Sequence, residues 1–173
     1  QSGYLQFYLA FGEGNLAHKE WKARAPRLRD PLRSLVELFL LGGRLPAAKA
    51  KRLLGPAIFH RLCQEGILRL DKGTIATDRF LLISFHSLIF FCENLSDPSV
   101  YFGTDSIALG SYQSPVPGGV TLDLCAGSGI QALIAALQAR RSYAVEINPR
   151  AARLARFNVA LNGLDRKVRV FNR

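Results

Sequence analysis

The chain of 173 residues has few acidic residues, few cysteines and no long apolar run. Its three cysteines, Cys63, Cys92 and Cys125, are widely spaced and include no CxxC pair. The sequence therefore indicates neither a disulfide framework nor a zinc site, and it suits the reducing cytoplasm. The longest apolar run, residues 81–92, contains polar residues and is too short to span a bilayer. No charged-then-apolar leader opens the chain, so secretion is not expected.

Basic residues exceed acidic ones by 23 to 13, which gives a formal net charge of +10. Residues 1–119 have a net charge of +4, and residues 120–173 have a net charge of +6. Basicity spread over both parts favours an anionic partner such as RNA or DNA. A soluble protein that merely has a high pI remains the alternative.

Helix signals open the first part of the chain. Asp30 is a plausible N-cap, Pro31 occupies a first helical position, and Gly42-Gly43 ends the apolar periodicity that follows. Two further short helices are predicted at residues 46–54 and 56–65.

A hairpin is predicted next, at residues 67–77, around the turn Asp71-Lys72-Gly73. Three helices followed by a hairpin resemble a winged helix, whose third helix enters the groove when the unit binds nucleic acid. Its basic residues would be Arg61, with Lys49, Lys51 and Arg52 on the preceding helix. Winged helices also serve as packing modules, so recognition and scaffolding both stay open. Residues 80–95 indicate a further strand or hairpin, in which His86 is expected to be a hydrogen-bonded core residue.

From Val120 onward, strands and helices alternate in the order of a parallel α/β sheet. The predicted strands are 120–124, 142–147 and 167–171, and the predicted helices are 129–139 and 149–161. The domains expected on this basis are a winged-helix-like α+β accessory domain at 1–95, a connecting segment at 96–119, and an α/β domain from residue 120.

The turn between the first strand and its helix is rich in glycine. Gly127 and Gly129 allow a sharp turn and let a ligand approach the backbone closely. Glu146 ends the second strand, where a carboxylate can accept the hydroxyl hydrogens of a ribose. The pattern therefore predicts a ligand of the adenosine type.

Two cofactors compete for this turn. Gly127, Gly129 and Ala132 formally satisfy the dinucleotide fingerprint, which would make the protein an NAD-dependent oxidoreductase. Asp123 precedes the turn, however, and its charge would repel a pyrophosphate. A carboxylate there suits a ligand with an ammonium group, such as S-adenosyl-L-methionine. A loop-capping role for Asp123 is the alternative.

The paired segments "LDLCAGSGIQALIAA" and "AVEINPRAARLARFNVALNGL" resemble class I S-adenosylmethionine-dependent methyltransferases. The resemblance is to the methyltransferase small domain group, which includes ribosomal RNA guanine and release-factor glutamine methyltransferases. It implies the first half of a Rossmann-like sheet at 120–173. It also implies an enzyme that methylates a nitrogen of RNA, DNA or a translation-related protein.

The resemblance also assigns site residues. It places Asp123 near the methionine amino group, Glu146 on the ribose hydroxyls and Ile147 on the adenine. The turn that lines the methionine and ribose comprises Cys125, Ala126, Gly127, Ser128 and Gly129. Cys125 stands where the family usually has glycine. Weaker candidates lie in the preceding segment, at Phe102, Thr104 and Asp105.

The family's catalytic Asn/Asp-Pro-Pro-aromatic motif follows a fourth strand, and no such sequence occurs here. The chain is therefore expected to be a fragment that is inactive by itself, with its catalytic residues and oligomeric state unknown. A winged-helix nucleic-acid-binding protein with a non-catalytic α/β part is the remaining alternative.

Overall fold

The computed structural model describes residues 15–77, 79–93 and 100–173, and the side chains among them from Glu20 onward. The helices are α1 (Asn15–Arg24), α2 (Leu32–Phe39), α3 (Ala47–Leu54), α4 (Pro56–Gln64), α5 (Thr104–Tyr112), α6 (Ile130–Ala136) and α7 (Pro149–Leu161), with a short 3-10 helix at Ala25–Arg27. The strands are β1 (Leu45–Pro46), β2 (Arg69–Asp71), β3 (Thr74–Ala76), β4 (Phe80–Phe85), β5 (Leu88–Glu93), β6 (Val120–Leu124), β7 (Arg141–Glu146) and β8 (Val168–Asn172).

Packing divides the chain into two compact units, residues 1–82 and 83–173. The division falls within β4. We describe each unit by itself. The predicted domain bounds at 95, 96–119 and 120 stay predictions.

The first unit combines helices with a small antiparallel sheet of order β1-β3-β2. The predicted hairpin is confirmed: Asp71 pairs with Thr74, so Lys72 and Gly73 form the loop, both at positive φ. This conformation matches a two-residue turn of the type that suits twisted strands. The sequence did not predict β1, which pairs Leu45 with Ile75.

Apolar side chains of α2 form much of this unit's core, with Val36, Leu38 and Phe39 buried. The helix begins one residue later than predicted, because Pro31 rather than Asp30 is its N-cap. The Asp30 Oδ1 still accepts a hydrogen bond from the Ser34 backbone amide at 3.3 Å. The Thr77 hydroxyl donates to the Leu38 carbonyl at 3.1 Å, which joins the end of the hairpin to α2.

The second predicted hairpin is confirmed as β4 and β5, which form a two-stranded sheet. The expectation for His86 is wrong, because this residue lies exposed in the turn with φ +49°. The apolar run around it belongs to the two strands, and the turn between them places His86 and Ser87 in solvent, both at positive φ.

A parallel sheet of order β6-β7-β8 organises the second unit. The predicted strand 120–124 and the predicted helix 149–161 are confirmed at both ends. On β7, Ser142, Ala144 and Glu146 are buried and alternate with partly exposed residues. Helices α6 and α7 are the crossovers of this sheet.

The buried side chains of these crossovers are mostly small, which lets helix and sheet approach closely. They include Ala132, Leu133, Ala136, Ala151 and Ala155. The opposite face carries the exposed side chains of Val120, Leu122 and Leu124. Because the three strands are parallel, their carboxyl ends lie at one edge of the sheet, where a parallel α/β sheet offers its ligand site.

Among the residues that the structure describes, no helix is long and apolar enough to cross a membrane. The same described ranges contain no group of three His, Cys, Asp or Glu residues that could hold a metal ion.

Candidate functional site

The candidate site lies at the carboxyl ends of β6 and β7, where two acidic side chains point to the same face of the sheet. Asp123 and Ala144 are register partners, so Asp123 and Glu146 lie on one face of neighbouring strands. Burial, chiefly, and to a smaller extent the charge of Glu146 raise the pKa of Asp123.

Glu146 holds the glycine turn in place. Its Oε2 accepts a hydrogen bond from the Gly127 amide at 2.7 Å, and its Oε1 accepts one from the Asn148 amide at 2.8 Å. Only 8% of the surface of Glu146 is exposed to solvent. Because each carboxylate oxygen can accept two hydrogen bonds, both oxygens keep an acceptor position for a ligand hydroxyl.

Asp123 joins β6 to the first turn of α6. Its Oδ2 accepts a hydrogen bond from the Ala132 amide at 3.1 Å. Removal from water, chiefly, and the charge of Glu146 raise its pKa from 3.8 to about 6, against the lowering effect of the Ala132 amide. This hydrogen bond supports the loop-capping role of Asp123. Because it uses Oδ2, Oδ1 stays available to a cationic group, so capping and ligand binding are compatible.

The turn between β6 and α6 holds three residues at positive φ: Cys125 at +60°, Gly127 at +54° and Gly129 at +79°. A Cβ on Gly127 would meet no atom within 4 Å, so open space lies above that residue. A Cβ on Gly129 would lie 3.1 Å from the Ala155 Cβ. Gly129 therefore permits close approach to α7, whereas Gly127 faces room that a ligand can use.

The remaining predicted residues surround this turn. Ala126 is buried and donates its amide to the Val145 carbonyl at 3.0 Å, which fixes the turn to β7. Cys125 is exposed. The buried Ser128 hydroxyl has no hydrogen-bond partner within the described part of the chain. Ile147, directly after Glu146, is 79% exposed.

Phe102, Thr104 and Asp105 belong to a different segment. Phe102 packs edge-to-face against Phe85 and Phe90, with ring centroids 5.8 and 4.9 Å apart. Thr104 begins α5, and Asp105 accepts a hydrogen bond from the Ser106 amide at 2.8 Å. These contacts give Phe102 a packing role. A ligand role for the three residues stays a prediction.

Two asparagines that the sequence did not single out also touch the site. The Asn172 side chain donates to the Glu146 carbonyl at 2.7 Å and to the Ile147 carbonyl at 2.9 Å. The Asn158 side chain donates to the Ser128 carbonyl at 2.9 Å. The one available signal was that Asn158 falls on the apolar face of its helix.

The fold and the site define a parallel α/β protein with two carboxylates around a glycine turn. Comparison with known proteins finds methyltransferases. Residues 102–173 match a family described as ribosomal protein L11 methyltransferase. Residues 16–78 match a domain of unknown function.

A curated relative is the ribosomal protein L11 methyltransferase of Carboxydothermus hydrogenoformans, 40% identical over 83 residues. The match covers 43% of this chain, and the chain spans 27% of the relative. Both matches are to methyltransferases, which agrees with the methyltransferase resemblance of the sequence.

Solved structures also match in part. A tRNA m1G37 methyltransferase of Methanocaldococcus jannaschii is 23% identical with a TM-score of 0.47, over 55% of this chain and 30% of that one. An Arabidopsis thaliana protein arginine methyltransferase is 42% identical with a TM-score of 0.31, over 32% of this chain and 16% of that one.

Proposed function

We propose that this chain carries the cofactor-binding part of an S-adenosylmethionine-dependent methyltransferase. The observation that carries the proposal is the pairing of Asp123 and Glu146 on one sheet face beside a glycine turn with open space at Gly127. One carboxylate suits the ammonium group of the cofactor, and the other suits its ribose hydroxyls.

The residues present fit this cofactor chemically. The exposed Ile147 offers an apolar surface for an adenine directly beside the ribose-binding carboxylate. The turn residues Ala126–Gly129 offer backbone rather than bulky side chains, with Cys125 at their start. When bound, the cofactor supplies an activated methyl group. The chain's own residues bind and orient it, and orientation is a large part of methyl-transfer catalysis.

The Asp123 carboxylate argues against the runner-up, an NAD-dependent oxidoreductase. A dinucleotide would bring a pyrophosphate to this turn. Burial, chiefly, and the charge of Glu146 already raise the pKa of Asp123, so the further negative charge of a pyrophosphate would be repelled.

We propose a nitrogen of RNA, DNA or a translation-related protein as methyl acceptor. The exposed charge of the second unit favours a polyanion. Of the three acidic residues in 120–173, Asp123 and Glu146 turn towards the site, and only Asp165 is fully exposed. The exposed basic residues of this part are Arg140, Arg150, Arg153, Arg156, Arg166, Arg169 and Arg173. The name of the curated relative favours a ribosomal protein instead.

The first unit supports a winged-helix-like accessory module, which we propose as a nucleic-acid contact. Its expected basic residues differ in availability. Lys49 binds Asp30 at 2.7 Å, and Arg61 binds Glu65 at 2.9 Å. Lys51 and Arg52 on α3 are exposed. Contact through α3 is therefore better supported than contact through Arg61 on α4.

A salt-dependent gel shift with a structured RNA tests the polyanion proposal. We expect binding that weakens steeply as salt rises, because phosphate contacts release counterions. The double variant Lys51→Glu, Arg52→Glu and the single variant Arg169→Glu should each weaken it, whereas the charge-preserving double variant Lys51→Arg, Arg52→Lys should not. RNA binding that survives all of these changes would overturn the assignment of these surfaces. RNA binding without any S-adenosylhomocysteine binding would favour a non-catalytic α/β part.

A further inference from the structure

Helix α7 carries two asparagines one turn apart, Asn158 and Asn162. Asn158 is 0% exposed and lies among the buried side chains of Leu154, Ala155 and Val159. A buried amide needs hydrogen-bond partners, because leaving its groups unpaired is costly.

Both asparagines pair with the free edge of β5. The Phe91 amide donates to Asn158 Oδ1 at 2.8 Å, and Asn158 Nδ2 donates to the Phe91 carbonyl at 3.0 Å. The Ile89 amide donates to Asn162 Oδ1 at 3.0 Å, and Asn162 Nδ2 donates to the Ile89 carbonyl at 2.7 Å. Residues 89 and 91 point their backbone groups to the same side of the strand. The two side chains thus act as a neighbouring strand would.

The second N–H of the side-chain amide has a different acceptor in each of the two residues. Asn162 donates it to the Asn158 carbonyl of its own helix, at 2.7 Å. Asn158 donates it to the Ser128 carbonyl, at 2.9 Å. Within the described residues, Asn158 therefore joins β5, α7 and the glycine turn, while Asn162 joins only β5 and α7.

The Ser128 carbonyl is a sensitive point of that turn. It belongs to the peptide between Ser128 and Gly129, and glycines at positive φ stand on both sides of the serine. Glycine has little intrinsic preference for one conformation, so contacts select the orientation of this peptide. Its N–H donates to the Ala126 carbonyl at 2.7 Å, and the hydrogen bond from Asn158 holds its carbonyl.

We infer that Asn158 is a positioning residue that holds the turn 126–129 in its ligand-ready shape and couples it to the β4–β5 hairpin. The inference rests on the proposed function in one respect: the turn must receive the cofactor for the coupling to matter to binding.

Amide hydrogen exchange on the cofactor-free chain tests the positioning itself. Asn162→Ala is a matched control, because it removes the same kind of β5 pairing without touching the turn. Both variants should speed exchange at their strand partners. Only Asn158→Ala should speed exchange of the Gly127 and Gly129 amides, by about tenfold for a lost buried hydrogen bond. Equal acceleration in both variants, or none in Asn158→Ala, would overturn the inference.

Calorimetry with S-adenosylhomocysteine then connects the turn to the cofactor. We expect about tenfold weaker binding for Asn158→Ala and little change for Asn162→Ala. Equal losses in both variants would reduce Asn158 to a structural role. If the unaltered chain bound no S-adenosylhomocysteine, the proposed function would fail while the exchange result still judged the positioning.

If Asn158→Ala does not fold, the unaltered chain offers a second route. S-adenosylhomocysteine should slow exchange at the Phe91 amide more than at the Ile89 amide, and equal slowing would contradict the coupling.

Discussion

Two acidic residues of the first unit and two of the second have different principal partners. In the first unit, carboxylates pair with basic side chains at the surface, as Asp30 does with Lys49 at 2.7 Å and Glu37 does with Arg33 at 2.7 Å. In the second unit, Asp123 and Glu146 turn inward and accept backbone amides of a turn and a helix.

This difference separates stabilising charge from functional charge. Exposed ion pairs contribute little and leave no acceptor directed at a ligand. Asp123 and Glu146, beside a glycine turn, keep unsatisfied acceptor capacity. The raised pKa of Asp123 is the kind of perturbation found at functional sites. We therefore expect the cofactor to bind to the second unit. Variants in each of the two units test this expectation.

The largest effect is expected for Glu146→Ala. S-adenosylhomocysteine binding should weaken by about 1–3 kcal/mol, because hydrogen bonds to a charged group are lost. The variant should also unfold more easily, since the Gly127 and Asn148 amides lose their acceptor. Asp165→Ala removes an exposed carboxylate of the same unit and should change neither property. Calorimetry and thermal melts measure both, and unchanged affinity in Glu146→Ala would refute the ribose assignment.

A pair of glycine variants separates stability from binding. Both sites have positive φ, but only at Gly129 would a Cβ crowd Ala155. Gly129→Ala should lower the free energy of unfolding by about 2 kcal/mol, and Gly127→Ala by about 1 kcal/mol. Gly127→Ala should weaken cofactor binding more than its stability loss explains, because its methyl group enters the open space. The reverse ranking in denaturant and binding titrations would remove Gly127 from the ligand side.

The raised pKa of Asp123 gives a pH effect of intermediate size. If the cofactor ammonium binds the ionised carboxyl, affinity should rise about fourfold between roughly pH 5.5 and pH 7.5 for a pKa near 6. The free chain should show the opposite trend. A group whose folded pKa is raised above 3.8 stabilises at low pH, and this stabilisation is lost as pH rises towards 6. Asp123→Asn should flatten both trends, and trends unchanged in that variant would assign them to another group.

The smallest effect belongs to the first unit. The hydrogen bond from Lys49, chiefly, together with Ser34, lowers the pKa of Asp30 from 3.8 to about 2. A lowered pKa contributes stability above pH 3.8 that is lost as pH falls towards 2. Lys49→Ala should reduce this acid-range dependence slightly, and added salt should mimic the variant in melts. Loss of S-adenosylhomocysteine affinity in Lys49→Ala would contradict the separation of the two units.

Local signals allowed much of the fold to be predicted. Pro149 indicated the start of α7 at residue 149. The structure adds Asn148 as the N-cap, whose side chain accepts the Arg150 amide at 2.9 Å. Lys72-Gly73 fixed the first hairpin. The two-residue strand β1 was missed because two residues show no periodicity. His86 was misplaced because an apolar composition does not show where a strand turns.

Part of the candidate site could also be predicted, because it depends on the order of the strands. Asp123 and Glu146 end neighbouring strands of a parallel pattern, so their proximity follows from topology. The bond between Asn158 and Ser128 joins residues 30 positions apart, and it depends on the register of α7 against the sheet. No local pattern contains that register, so Asn158 emerged only from the structure.

Titration calorimetry of the full chain with S-adenosylhomocysteine and with NAD tests most directly whether the turn at residues 126–129 holds a methyl-donor cofactor. We expect saturable binding of S-adenosylhomocysteine that Glu146→Ala weakens, and no saturable binding of NAD. Preferential binding of NAD, or no binding of S-adenosylhomocysteine to a folded chain, would contradict that assignment.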